Sequence, residues 1–146
     1  MFYNNDRNAM RRHFAEVWQK AQQQLPLEPM DQVIAEAIAM HPEYHGMLES
    51  DNGMIDRDYL PEMGQTNPFL HMAMHIALVE QVSTNRPYGV ANIYQTLLAR
   101  TGDAHSAHHE MLECLGEMLY QTQKSGTPPD ETQYLDCLRK SAGLPL

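Results

Sequence analysis

The residues most able to do chemistry in this chain are its histidines. There are eight, and seven fall in three tight groups: His41 with His45, His71 with His75, and His105 with His108 and His109. Side chains four residues apart on a helix are separated by only about 40° around its axis, so they share a face. Two imidazoles on one face can reach one metal ion. The neutral ring nitrogen is a good ligand for Zn, Fe, Ni or Cu.

The groups differ in how strongly they point to a ligand role. His71 and His75, in His-Met-Ala-Met-His, share a helical sector with Met72, Leu78, Val79 and Val82. A polar group buried there without compensation costs roughly 1–3 kcal/mol. Two on one apolar face are best satisfied by a shared ion. His105 and His108 fall with Leu112 and Leu119, and His105, His109 and Glu113 form a second line at i, i+4 and i+8. The second line is the preferred ligand set, and His108 is the alternative. His41 lies in the stripe of Ile34 and Ile38, but Pro42 separates it from His45. That pair also reads as a helix cap and a surface residue. His13 has no partner nearby in sequence and reads as a boundary residue.

Two familiar metal motifs are missing. There is no His-Glu-x-x-His, which disfavours a zinc protease. There is no Glu-x-x-His of the kind that builds di-iron carboxylate bundles. The pattern instead predicts a nitrogen-rich site with about one carboxylate.

Helices must carry these residues. Met10, Phe14, Val17, Trp18, Ala21 and Leu25 recur with helical period, which predicts a helix over about 6–25 that Pro26 ends. A second helix starts near Pro29 and carries Met30, Ile34, Ala37, Ile38 and His41. Pro42 then forces a kink or starts a new short helix. Residues 51–66 read as a long connection with turn signals. Asn67 and Pro68 form the clearest helix start, and 68–84 is apolar almost all round. Such a helix is normally central or covered by a partner subunit. Val90, Ile93, Leu97 and Leu98 mark another helix, stopped by Gly102. Asp103 caps the next, which runs to about Lys124, and a last helix carries Tyr134, Leu135 and Leu138. No segment alternates with period two, so no sheet is expected. The expectation is one all-α domain over 1–146. It is a compact bundle of about five to seven helices around the apolar helix 68–84.

Composition narrows the function classes. A net charge of −9 repels nucleic-acid backbones and anionic membranes, so neither is expected as a partner. No apolar stretch is long enough to cross a bilayer. The N-terminal residues do not read as a signal peptide. Cys114 and Cys137 lack CxxC spacing, make no disulfide framework and read as structural. A reducing cytoplasm is the simplest setting.

At its motifs the chain resembles an uncharacterised family of small proteobacterial proteins, catalogued as a domain of unknown function. The likeness rests on His-Pro-Glu-Tyr-His at 41–45, Asn-Pro-Phe-Leu-His-Met-Ala-Met-His at 67–75, and His105…His109…Glu113-Cys114-Leu115-Gly116-Glu117. It also takes in Gly-Thr-Pro-Pro-Asp at 126–130. The resemblance implies no activity. It implies His109, rather than His108, as the motif histidine. A looser likeness is to haemerythrin-like and DinB-like helical bundles, whose metal sites use histidines from neighbouring helices. That likeness is one of architecture.

The sequence therefore predicts a transition-metal site of Zn, Fe or Ni. The candidate ligands are His41, His45, His71, His75, His105, His109 and Glu113. Such a site suits hydrolytic or oxygen chemistry on a small molecule that the sequence does not identify. The alternative is a non-catalytic interaction module or homodimer, its core histidines structural or pH-sensing.

Overall fold

The computed structural model describes residues 2–49 and 67–146, with side chains from Asn8 onward in the first segment. The expected connection at 51–66 lies outside the described residues. The chain is all-α, with no strand among the described residues. The seven α-helices among the described residues are α1 (Phe2–Gln22), α2 (Pro29–Ala39), α3 (His45–Glu49), α4 (Pro68–Thr84), α5 (Val90–Thr101), α6 (Ala104–Ser125) and α7 (Glu131–Ala142). The contacts divide the chain into two compact units, Met1–Ile76 and Ala77–Leu146.

In the first unit α1 packs against α2 and α3. Phe14 and Val17 from α1 meet Ile34 and Ile38 from α2, Met47 and Leu48 from α3, and Phe69 and Met72 from α4. Phe14 and Phe69 rings lie 6.3 Å apart in a tilted pair. The buried Arg11 guanidinium sits 4.8 Å from the Phe69 centroid, a cation–π contact. His13, expected to be a plain boundary residue, bonds Asp31 of α2 at 2.8 Å. The pair ties α1 to α2 at the surface.

Pro42 decides how α2 ends. The residue before a proline is pushed out of the α region. His41 accordingly has φ −128° and ψ 71°. The chain takes the second of the two expected courses, a new start with Pro42 in its first turn. Pro42–Tyr44 form one 3-10 turn that runs into α3.

α4 begins as the sequence predicts. The Asn67 side-chain oxygen accepts the backbone N–H groups of Phe69 and Leu70, and Pro68 takes the first helical position. Although the helix is apolar almost all round, its buried residues are Pro68, Phe69, Met72, His75 and Leu78, and Leu70 is exposed.

In the second unit α5, α6 and α7 pack on one another. Val90, Ile93 and Leu97 meet a core that includes Ala107, Met111, Leu115, Tyr134 and Leu138. Asp103 and Asp130 cap α6 and α7 by accepting the N–H groups of Ser106 and Gln133. The bond from Ser106 holds the Asp103 carboxyl below its ordinary pKa. Gly102, Gly126 and Gly143 close α5, α6 and α7 in the left-handed conformation.

The structure corrects the reading of the cysteines. Cys114 of α6 and Cys137 of α7 form a disulfide. Spacing could not announce it, because the α6–α7 hairpin, not a local motif, brings the two together. The 23-residue separation closes a loop whose constraint on the unfolded chain is worth about 3 kcal/mol. Reducing the bond should lower the unfolding free energy by about that amount, as read from urea melts with and without reductant. An unchanged midpoint would contradict this.

Tyr134 is buried and donates its hydroxyl to the Gln81 side-chain oxygen at 2.6 Å. Burial pushes its pKa up to about 12, against a smaller opposing effect of that bond. The folded state therefore holds the phenol proton more tightly than the unfolded chain. This contribution to stability is complete below the unfolded pKa near 10 and is lost as pH rises towards about 12. Tyr134→Phe should cost about 1 kcal/mol at neutral pH. It should also remove part of the alkaline loss of stability. Identical alkaline limbs in the two proteins would contradict the assignment.

Candidate metal centre

The histidines of the first unit come together from two segments. His41 follows the last turn of α2, and His71 and His75 lie one turn apart on α4. Their ring centroids form a near-equal triangle. His41 is 4.8 Å from His71 and 4.6 Å from His75, and His71 is 4.8 Å from His75. A nitrogen of His41 lies within 4.8 Å of one on His75. The two α4 rings approach at Nε2, 3.3 Å apart. His41 and His75 are buried, and His71 is half-buried.

His41 is held by its other nitrogen. Its Nδ1–H donates to the Ala37 carbonyl at 2.7 Å, so in the neutral ring the lone pair is on Nε2. Histidine ligands of metals characteristically donate their second N–H in this way, which fixes both tautomer and ring orientation. Tyr44 stacks against His41 with centroids 5.4 Å apart and meets His71 edge-on at 6.3 Å. Burial, and then the Glu43 charge, raise the Tyr44 pKa, so its phenol is neutral at physiological pH.

His45 is placed differently. Its Nε2–H donates to the Ile38 carbonyl at 2.8 Å, and its ring lies 4.3 Å from that of Trp18. Both histidines flanking Pro42 thus bond carbonyls near the end of α2, where the helix leaves carbonyls without intrahelical partners.

In the second unit, α6 separates its three histidines by face. His105 and His109 pair with ring centroids 4.2 Å apart, and a nitrogen of each lies within 4.8 Å of the other. His105 is half-buried and His109 exposed. His108 turns into the core beside Ala107, Met111 and Leu112, with its ring 5.6 Å from Tyr94. Burial lowers the His108 pKa, and the neighbouring charges of His105 and His109 lower it further. Glu113, one turn beyond His109, is exposed.

Each unit thus carries histidines that could contribute to a metal site, His41 and His75 in the first and His105 and His109 in the second. Imidazole nitrogens suit Zn, Fe, Ni or Cu rather than Mg or Ca. Sequence reasoning had identified all four residues. It missed the aromatic surroundings, Tyr44, Trp18 and Tyr94, which share no helical stripe with the histidines they touch.

No curated protein and no solved structure matches the chain. A family model described as a domain of unknown function, DUF1841, matches residues 6–140. With nearly its whole length matched, from α1 through most of α7, the chain belongs to the DUF1841 family.

Proposed function

We propose that this protein binds a transition-metal ion through the first unit's His41, His71 and His75. The observation that carries this reading is the His41 anchor. A buried imidazole, oriented by a backbone carbonyl, faces two further imidazoles on α4.

The spacing of the α4 pair supports it. Two imidazole nitrogens sharing an ion at the ~2.0–2.1 Å typical of zinc lie roughly 3 to 3.4 Å apart. His71 and His75 Nε2 are 3.3 Å apart, so small adjustments convert a nitrogen–nitrogen contact into a shared ligand pair. Three imidazoles with one position left for water or substrate make the four-coordinate arrangement of catalytic zinc sites. In this reading His45, bonded to Ile38, His108, packed on Tyr94, and the exposed Glu113 are outside the ligand set. A bound ion of this kind supplies Lewis acidity and lowers the pKa of coordinated water. That chemistry suits a hydrolytic or oxygen-using enzyme acting on a small molecule.

Elemental analysis of tag-free protein, loaded with Zn, Fe or Ni and freed of excess metal, tests the reading. The parent should retain one ion per chain. His75→Ala should lose it, and His108→Leu and His45→Ala should keep it. A parent that holds no metal would overturn the proposal. Full retention in His75→Ala would overturn the assignment of its ligands.

Stability gives a second readout. Metal at 100 times its dissociation constant should stabilise the parent by about 2.7 kcal/mol. The increment should vanish in His75→Ala. Equal stabilisation of parent and variant would point to adventitious binding and count against the site.

A further inference from the structure

A cavity of about 680 Å³ opens between α6 and α7, and the disulfide is part of its wall. Both Cys114 and Cys137 line it, together with Glu117, Asp130, Asp136 and Lys140. Its size falls in the ordinary range for small-molecule pockets. A disulfide used only as a staple has no need of such an opening.

The two sulfurs are not equivalent. Cys114 is buried, and Cys137 is half-buried at the cavity wall. The Ser141 hydroxyl lies 3.7 Å from the Cys114 sulfur. A disulfide sulfur carries no hydrogen, so the hydroxyl is the donor, and it would also stabilise a thiolate on Cys114. Lys140 stands one turn beyond Cys137 on α7.

We propose that the Cys114–Cys137 disulfide is a thiol-exchange site, and that the cavity admits small cationic amino-thiols to it. The incoming thiolate attacks Sγ of Cys137. The Cys114–Cys137 bond breaks as the new sulfur–sulfur bond forms, and Cys114 departs as the thiolate beside Ser141. A second thiol then attacks the mixed disulfide and leaves as the oxidised dimer of the reagent, with both cysteines reduced. Two thiols are oxidised and one protein disulfide is reduced, so atoms and electrons balance. Access selects Cys137 as the attacked sulfur. The lining selects the charge of the reagent, because three carboxylates face one ammonium and Asp136 is only partly offset by Arg139 at 3.3 Å. In a reducing compartment a disulfide of this kind is characteristically transient and exchanging. This inference rests on the second unit alone and is independent of the metal reading.

The test uses the folded, oxidised protein with cysteamine, 2-mercaptoethanol and 3-mercaptopropionate at equal thiolate concentration. Reaction is quenched by alkylation and read by intact and peptide mass spectrometry. The mixed disulfide should map to Cys137, and cysteamine should react about 10-fold or more faster than 3-mercaptopropionate. Asp136→Asn with Glu117→Gln should narrow that ratio. Cys114→Ser should take up cystamine at Cys137, and Cys137→Ser should react far more slowly at Cys114. If either cysteine variant fails to fold, adduct mapping in the parent decides. Adducts at Cys114, equal rates for all three thiols, or reduction no faster than global unfolding would overturn the proposal.

Discussion

Pro42 is the constraint on which the first histidine group depends. A proline at this position disfavours the α conformation in the residue before it, and α2 stops just before His41. Two carbonyls at the end of α2 accept imidazole N–H groups, Ala37 from His41 and Ile38, which also takes the His41 backbone N–H, from His45. Each imidazole is thereby fixed by one nitrogen. For His41 the same bond sets the tautomer and fixes the ring beside the two α4 imidazoles. The helix stop, the buried His41 and its ring orientation are one arrangement rather than three coincidences.

Burial then sorts the remaining histidines. On α4 the pair His71 and His75 follows the face that carries Met72 into the core. On α6 the three histidines divide, with His108 inward against Tyr94 and His105 with His109 on an adjoining line. The division has an electrostatic side. His108 is kept neutral by its burial and by its two neighbours, whereas its neighbours have more access to solvent. One turn of helix thus holds both a core histidine and a pair able to take a ligand.

Much of this was legible in the sequence because it is local. The Asn67–Pro68 start, the Asp103 cap and the glycine stops at 102 and 126 are short-range signals, and each is found where the residues place it. The helical sector that holds His75 also follows from periodicity. The rest was hidden because it depends on chain reversal. No spacing rule pairs Cys114 with Cys137, Trp18 with His45, or His13 with Asp31. The division of the contacts inside α4 was equally unreadable, since that helix continues without interruption through Ile76 and Ala77.

A bond between α6 and α7 and a histidine pair on α6 place two chemistries on one helix, nine residues apart at Cys114 and His105. The central claim concerns the imidazoles. Its most direct measurement is the X-ray absorption fine structure of the metal-loaded protein. The account predicts a shell of nitrogen at about 2.0–2.2 Å with the multiple scattering of several imidazoles and no sulfur. A shell dominated by carboxylate or water oxygen, or one with a sulfur neighbour at about 2.3 Å, would contradict it.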